Sequence, residues 1–104
     1  MWGVCLRQAK AVSIEGHPDP LYNGVYTHDS THEGWPVLKN AKGMYCYRCT
    51  PTDEWVLHNK FTPDKASCMA GVVSTEGTLP VGARAWWCRA SGKWVQRTIT
   101  VTLQ

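Results

Sequence analysis

No stretch of this 104-residue chain approaches the ~18 consecutive apolar residues of a membrane span. Within residues 1–10 the apolar run stops at Arg7, short of the h-region of a signal peptide, so no cleaved leader is expected there. No Asn-x-Ser/Thr acceptor is present, so glycosylation lends no support to secretion. The expectation is a soluble or peripheral domain of undetermined compartment, with no membrane-spanning segment. Charge is scarce: 18% of residues are charged and the net value is +3, too small and too scattered for a nucleic-acid footprint. No nucleic-acid partner is expected.

Catalytic signatures are also missing. There is no G-x-S-x-G and no phosphate-cradling glycine loop. The eight carboxylates are dispersed, with only Asp53 and Glu54 adjacent, which is no basis for a glycosidase pair. No catalytic residue is assigned, no cofactor is expected, and the chain is not read as an enzyme. No window sustains a 3.6-residue apolar period, which argues against a helical domain.

What is present is tryptophan, six in all, and short apolar runs cut by Gly, Pro, Asn and Asp. At this length the chain is one domain, able to bury about two-thirds of the surface it exposes unfolded. Residues 1–9 are read as an N-terminal extension and 10–104 as a single Trp-rich β domain. The final segment alternates: Val95, Arg97, Ile99, Val101 and Leu103 on one side, Gln96, Thr98, Thr100 and Thr102 on the other. β-branched residues at that density favour an extended chain. A turn at Ala90, Ser91, Gly92 and Lys93 joins it to a strand over 84–89. A second hairpin runs 35–39 and 44–48, with Gly43 suited to the left-handed position of a three-residue loop. A third strand begins at Trp55, extending the hairpin into a meander. Pro36 predicts an edge strand or a strand start.

Asn23-Gly24 reads as a turn, followed by a strand at about 24–28, with a weaker strand at about 10–15 and another at about 69–74. Thr62, Pro63 and Asp64 form a helix-start signal that predicts one helical turn near 63–67. The fold class is therefore all-β: an antiparallel meander in a small sandwich or barrel of seven or eight short strands.

Five cysteines leave at least one thiol unpaired. Cys46 and Cys49 form a C-x-x-C. Zinc would need a second pair to complete a tetrahedron, and on a straight strand the two face opposite ways. A thiol-redox role needs the motif at a strand-to-helix junction, whereas its surroundings read as strand. Small, partly buried hydrophobes is the favoured reading. Cys68 and Cys88 are the candidate disulfide, weighed evenly against two free thiols. His28 and His32, with Asp29 and Glu33, could share a metal on a helix; the polar, turn-like context reads instead as an exposed loop. No metal site is assigned.

Neighbouring residues on a strand face opposite ways, so a buried Cys88 carries Trp86 inward and leaves Trp87 and Arg89 outside. Trp87, Arg89, Lys93, Trp94 and Trp35 are the candidate binding residues, since indole and guanidinium groups stack on partner side chains or sugars. The alternative is that both adjacent indoles are covered, one by each side of a two-layer fold, and the sequence favours neither.

Six short motifs carry a family resemblance: Asn-Gly-Val-Tyr at 23–26, Gly-Trp-Pro-Val at 34–37, Tyr45 to Arg48, Trp-Val-Leu at 55–57, Phe-Thr-Pro-Asp at 61–64 and Lys-Trp-Val at 93–95. Over most of residues 22–103 the chain resembles Trp-rich β modules in large proteins of single-celled eukaryotes such as dinoflagellate algae. The resemblance implies an appended or accessory unit without chemistry of its own, or a small peripheral subunit of a larger, photosynthetic complex. The expected function is non-catalytic binding or assembly through exposed aromatics that contact a protein partner. A carbohydrate-binding module and a zinc or thiol-redox protein are the alternatives.

Overall fold

The computed structural model describes residues 11–73 and 78–104. Cys5, and the N-terminal extension over residues 1–9, lie outside the described residues. Among the described residues eight antiparallel strands follow one another around a closed barrel: β1 (Ala11–Glu15), β2 (Gly24–His32), β3 (Trp35–Asn40), β4 (Tyr45–Cys49), β5 (Glu54–His58), β6 (Ala70–Val73), β7 (Gly82–Ala90) and β8 (Lys93–Leu103). Each pairs with its chain neighbour, and β1 closes the ring on β8 through Val12 opposite Leu103 and Ile14 opposite Val101. Closure satisfies every strand on both sides, so the barrel has no edge for Pro36 to occupy. Pro36 instead sits near the start of β3, opposite Thr31.

The period-two pattern sets what fills the barrel. Val12, Ile14, Tyr26, Leu38, Cys46, Trp55, Leu57, Ala70, Trp86, Cys88, Ile99 and Val101 point inward into one sealed cluster. Trp55 and Trp86 are its largest members and each is completely buried. Full burial of an aromatic this size is worth several kcal/mol, about 3–5 if truncated to Ala. The interior is therefore packed with side chains, as is usual for eight strands.

Three details depart from the sequence reading. The polar run from His28 to His32 is not a loop. It is the second half of β2, bulged between His28 and Ser30 and turned back by Glu33 and Gly34, both at positive φ. A bulge breaks the alternation that would have marked it as strand. Asn23-Gly24 is not a hairpin turn either. Asn23 ties down a longer connection, accepting from the His17 N–H (2.9 Å) and donating to the His17 carbonyl (3.0 Å). The one helical turn among the described residues is a 3-10 turn at Pro20–Tyr22, where the Asp19 carboxylate accepts from the Leu21 N–H. At 63–67 a single turn closes from the Lys65 N–H to the Thr62 carbonyl and goes no further. The Pro63 carbonyl that would continue a helix accepts from the Thr50 N–H instead (3.0 Å).

The β1–β2 connection lids one end of the barrel. The Asp19 N–H donates to Nδ1 of His17, which places the ring proton on Nε2, 3.0 Å from the Met69 carbonyl. Asn40 Nδ2 donates to the Leu21 carbonyl on the other side. Gly16 opens this lid at φ +112°, with its α-carbon so close to β8 that a Cβ would run into the Thr98 carbonyl oxygen.

Residues 59–69 connect β5 to β6 and lie back across the outside of the wall as a strap. Beneath it is a second apolar cluster of outward-facing Val37, Tyr47, Cys49 and Val56, joined by Tyr45 and Cys68. Phe61 of the strap meets Tyr47 edge-on at 5.1 Å, Tyr45 at 6.2 Å and His32 at 5.5 Å.

Candidate interaction face

The β7–β8 hairpin turns at Ser91 and Gly92, both at positive φ, as a two-residue hairpin requires. Nine residue pairs from Gly82 opposite Val101 to Ala90 opposite Lys93 hold the register. That register sends Trp86 and Cys88 inward and Trp87 and Arg89 outward, as alternation predicts. Trp94 lies opposite Arg89 and also faces out, with the guanidinium carbon 5.7 Å from its ring. Trp87 is 52% exposed and Trp94 45%. No strap crosses this hairpin among the described residues.

The wider face has an order. Outward positions on β6 and β7 are Gly71, Val73, Ala83, Ala85, Trp87 and Arg89, an apolar stripe that ends in a cation at the hairpin tip, with Gly71 covered by the Glu54 side chain. Outward positions on β8 are Gln96, Thr98, Thr100 and Thr102, a polar one. Gly71 is paired with Trp87, and the Glu54 side chain lies against Gly71 where a side chain of its own would be. Residues 82–104 also hold Arg84, Arg89, Lys93 and Arg97, four of the eleven Lys and Arg, and none of the eight Asp and Glu. A net charge of +3 conceals this segregation; counting charge by segment would have exposed it.

The structure brings together four of the five candidate binding residues. Trp87, Arg89, Lys93 and Trp94 all cluster toward the hairpin tip, with Lys93 exposed beside the turn. Trp35 stands apart, at the start of β3 and so at the other end of a meander barrel. It is half-buried, edge-on to Trp55 at 6.0 Å, and covered by the Arg48 guanidinium at 4.8 Å, which also pairs with Asp53 at 3.0 Å. It packs against the interior cluster at that end.

The cysteines separate by face. Cys46 is sealed inside, where burial pushes its thiol far above the usual range, and Cys49 faces the strap, donating to the Lys65 carbonyl at 3.2 Å. They cannot chelate one ion through opposite faces of a strand. The Cys68–Cys88 bridge is likewise not formed: both are free thiols. Cys68 lies in the cluster under the strap and Cys88 in the barrel interior, with the wall between them. Burial pushes each up to about 11; Glu54 and Cys49 add to the shift at Cys68, and Arg97 offsets part of it at Cys88. His28 bonds Thr31 (3.2 Å) and His32 sits 4.0 Å from Glu33, on a bulged strand instead of a helix face. Among the described residues no three metal-ligating side chains gather, and no helix is long and apolar enough to cross a membrane.

One feature of the surface was not legible in the sequence. The strap and the end of β5 enclose a pocket of about 300 Å³ lined by His58, Asn59, Lys60, Thr62, Lys65 and Ser67. It depends on the strap lying back on the wall, which no local pattern announces.

The architecture defines a class, the closed eight-stranded antiparallel meander barrel with a filled interior. Comparison with known proteins adds no closer assignment: no family model, curated protein or solved structure matches the chain.

Proposed function

We propose that this barrel is a non-catalytic docking module that holds a protein partner against the outer face of β7 and the tip of the β7–β8 hairpin. The observation that carries the reading is the pair of half-exposed indoles, Trp87 and Trp94, flanking Arg89 on a rigid nine-pair hairpin. Trp and Arg dominate binding energy at interfaces because they bring large contact area with little rotamer entropy to lose. The hairpin is already ordered in the free barrel, so docking adds little ordering cost. Arg89 and Lys93 at the hairpin tip favour an acidic partner surface and speed its approach. A stable complex of this kind covers ~800 Å² on each side, which the stripe from Val73 to Trp94 is placed to supply.

The test starts from a partner captured from the native source, which is then purified and titrated against the wild-type barrel and a Trp87→Ser/Trp94→Ser variant. Both side chains lie outside the core, so the variant keeps its fold by circular dichroism. The reading requires an affinity loss on the order of 100-fold and weaker binding as salt rises. Equal affinity for both proteins rejects it. A carbohydrate reading has one observation in its favour: the same indoles border the amide and hydroxyl row of Gln96 and Thr98. Saturable quenching of tryptophan fluorescence by a member of a glycan panel, lost in the same variant, would put sugar in place of protein.

A further inference from the structure

The strap pocket lies on a different face from the β7–β8 hairpin and has its own chemistry. The six residues around this cup of about 300 Å³ carry two ammonium groups, an imidazole, an amide and two hydroxyls, and none carries a carboxylate or an apolar side chain. Asp64, the strap's own acid, is exposed and outside the lining. Among the described residues, neither Lys60 nor Lys65 has an ion-pair or hydrogen-bond partner for its Nζ. Nδ1 of His58 is buried in the same wall and also lacks a partner. Thr62 Oγ1 already faces the Tyr47 hydroxyl at 3.3 Å, which leaves Ser67 and Asn59 as the uncommitted neutral groups.

Gathering unpaired cations beside a buried imidazole costs free energy, because each disfavours charge on the others. His58 shows that cost: burial first, then the Lys60 ammonium, lower its readiness to take a proton. An anion in the cup offsets the repulsion among these groups by attracting each of them, and can accept charge-assisted hydrogen bonds from the lysines. The volume is at the small end of the ~300–1,000 Å³ range of small-molecule sites, so the occupant is compact. The depression between β2 and β3 makes the contrast. It is about 390 Å³, but its lining mixes Asp29 with Lys39 and includes Val25 and Ala41.

The geometry points to the strap pocket as an oxyanion site for a compact ligand bearing a phosphate, sulfate or carboxylate group, held by Lys60 and Lys65 with Ser67 and Asn59 as hydrogen-bonding partners. This site does not depend on the docking face, and either can fail without the other.

The experiment is an amide chemical-shift titration of the full chain with inorganic phosphate, inorganic sulfate and glucuronate in separate arms, at ionic strength held constant with chloride. The expected result is a saturable shift confined to amides between residues 58 and 67 in at least one arm, and the arm that saturates at lowest concentration identifies the group. Lys60→Gln/Lys65→Gln weakens that binding about tenfold or more. Lys39→Gln/Lys42→Gln, which removes the same charge elsewhere, leaves it unchanged. Non-saturating shifts spread over all lysines, or equal losses in the two double variants, overturn the site.

Discussion

Two sides of one barrel wall treat their aromatic residues in opposite ways. On β4, outward Tyr45 and Tyr47 lie under residues 59–69, with Phe61 set edge-on against Tyr47. On β7 and β8, outward Trp87 and Trp94 have no such cover among the described residues and are about half exposed. Among the described residues, outward aromatics are thus covered by a strap on one side alone. Uncovered indoles on the other side are therefore a property of the fold, separate from the scattered apolar exposure that any surface carries.

The largest effect expected from breaking this comparison is at the wall itself. Trp86→Ala, inside, should cost about 3–5 kcal/mol in denaturant unfolding, and Trp87→Ala, its outward neighbour, within about 0.5. Comparable losses would mean that the two indoles are not separated by the wall. Next is Gly16→Ala, where the added methyl meets the Thr98 carbonyl of β8 at a positive φ; a loss of about 2–3 kcal/mol is expected by thermal melting. Phe61→Ala should cost about 1–2 kcal/mol. Its effect should be local, with faster amide exchange at Thr50 and across 59–69 and none in β7 or β8. Exchange that rises equally on both sides would erase the distinction between strapped and bare faces.

The smallest effect is electrostatic. Cys68, under the strap, and Cys88, in the interior, ionise at about 11 when folded against 9.0 for the ordinary thiol. A group whose folded value is raised contributes stability below its unfolded value and loses it on the way to the folded one. The denaturant midpoint should therefore fall between about pH 9 and 11, and less so in Cys68→Ser or Cys88→Ala. A midpoint that rises over that window contradicts the burial of both thiols.

Most of the barrel was legible because its strands obey period two. Val95 to Leu103 alternate cleanly, and parity ties Trp86 to Cys88 and Trp87 to Arg89, although which pair faces inward rests on the burial of Cys88. Reading failed where the period was interrupted or where distant segments meet. The bulge between His28 and Ser30 made half of β2 look like a loop. Thr62-Pro63-Asp64 carries helix-start chemistry, but the Pro63 carbonyl is taken by Thr50 and the following Lys65 carbonyl by Cys49. The partition of Cys68 from Cys88 and the pocket around Lys60 and Lys65 depend on where the strap lies, a long-range choice with no local signature. Trp35 resembled its exposed counterparts in sequence; only the fold sets it against Trp55 and Arg48.

The central claim is that contact is made through the bare face and not the strapped one. Hydroxyl-radical footprinting of the barrel, free and bound to its native partner, tests it most directly. The account predicts that oxidation of Trp87 and Trp94 falls sharply on binding while that of Phe61 and Trp35 stays the same. Unchanged oxidation at Trp87 and Trp94, with protection at Phe61 instead, would contradict it.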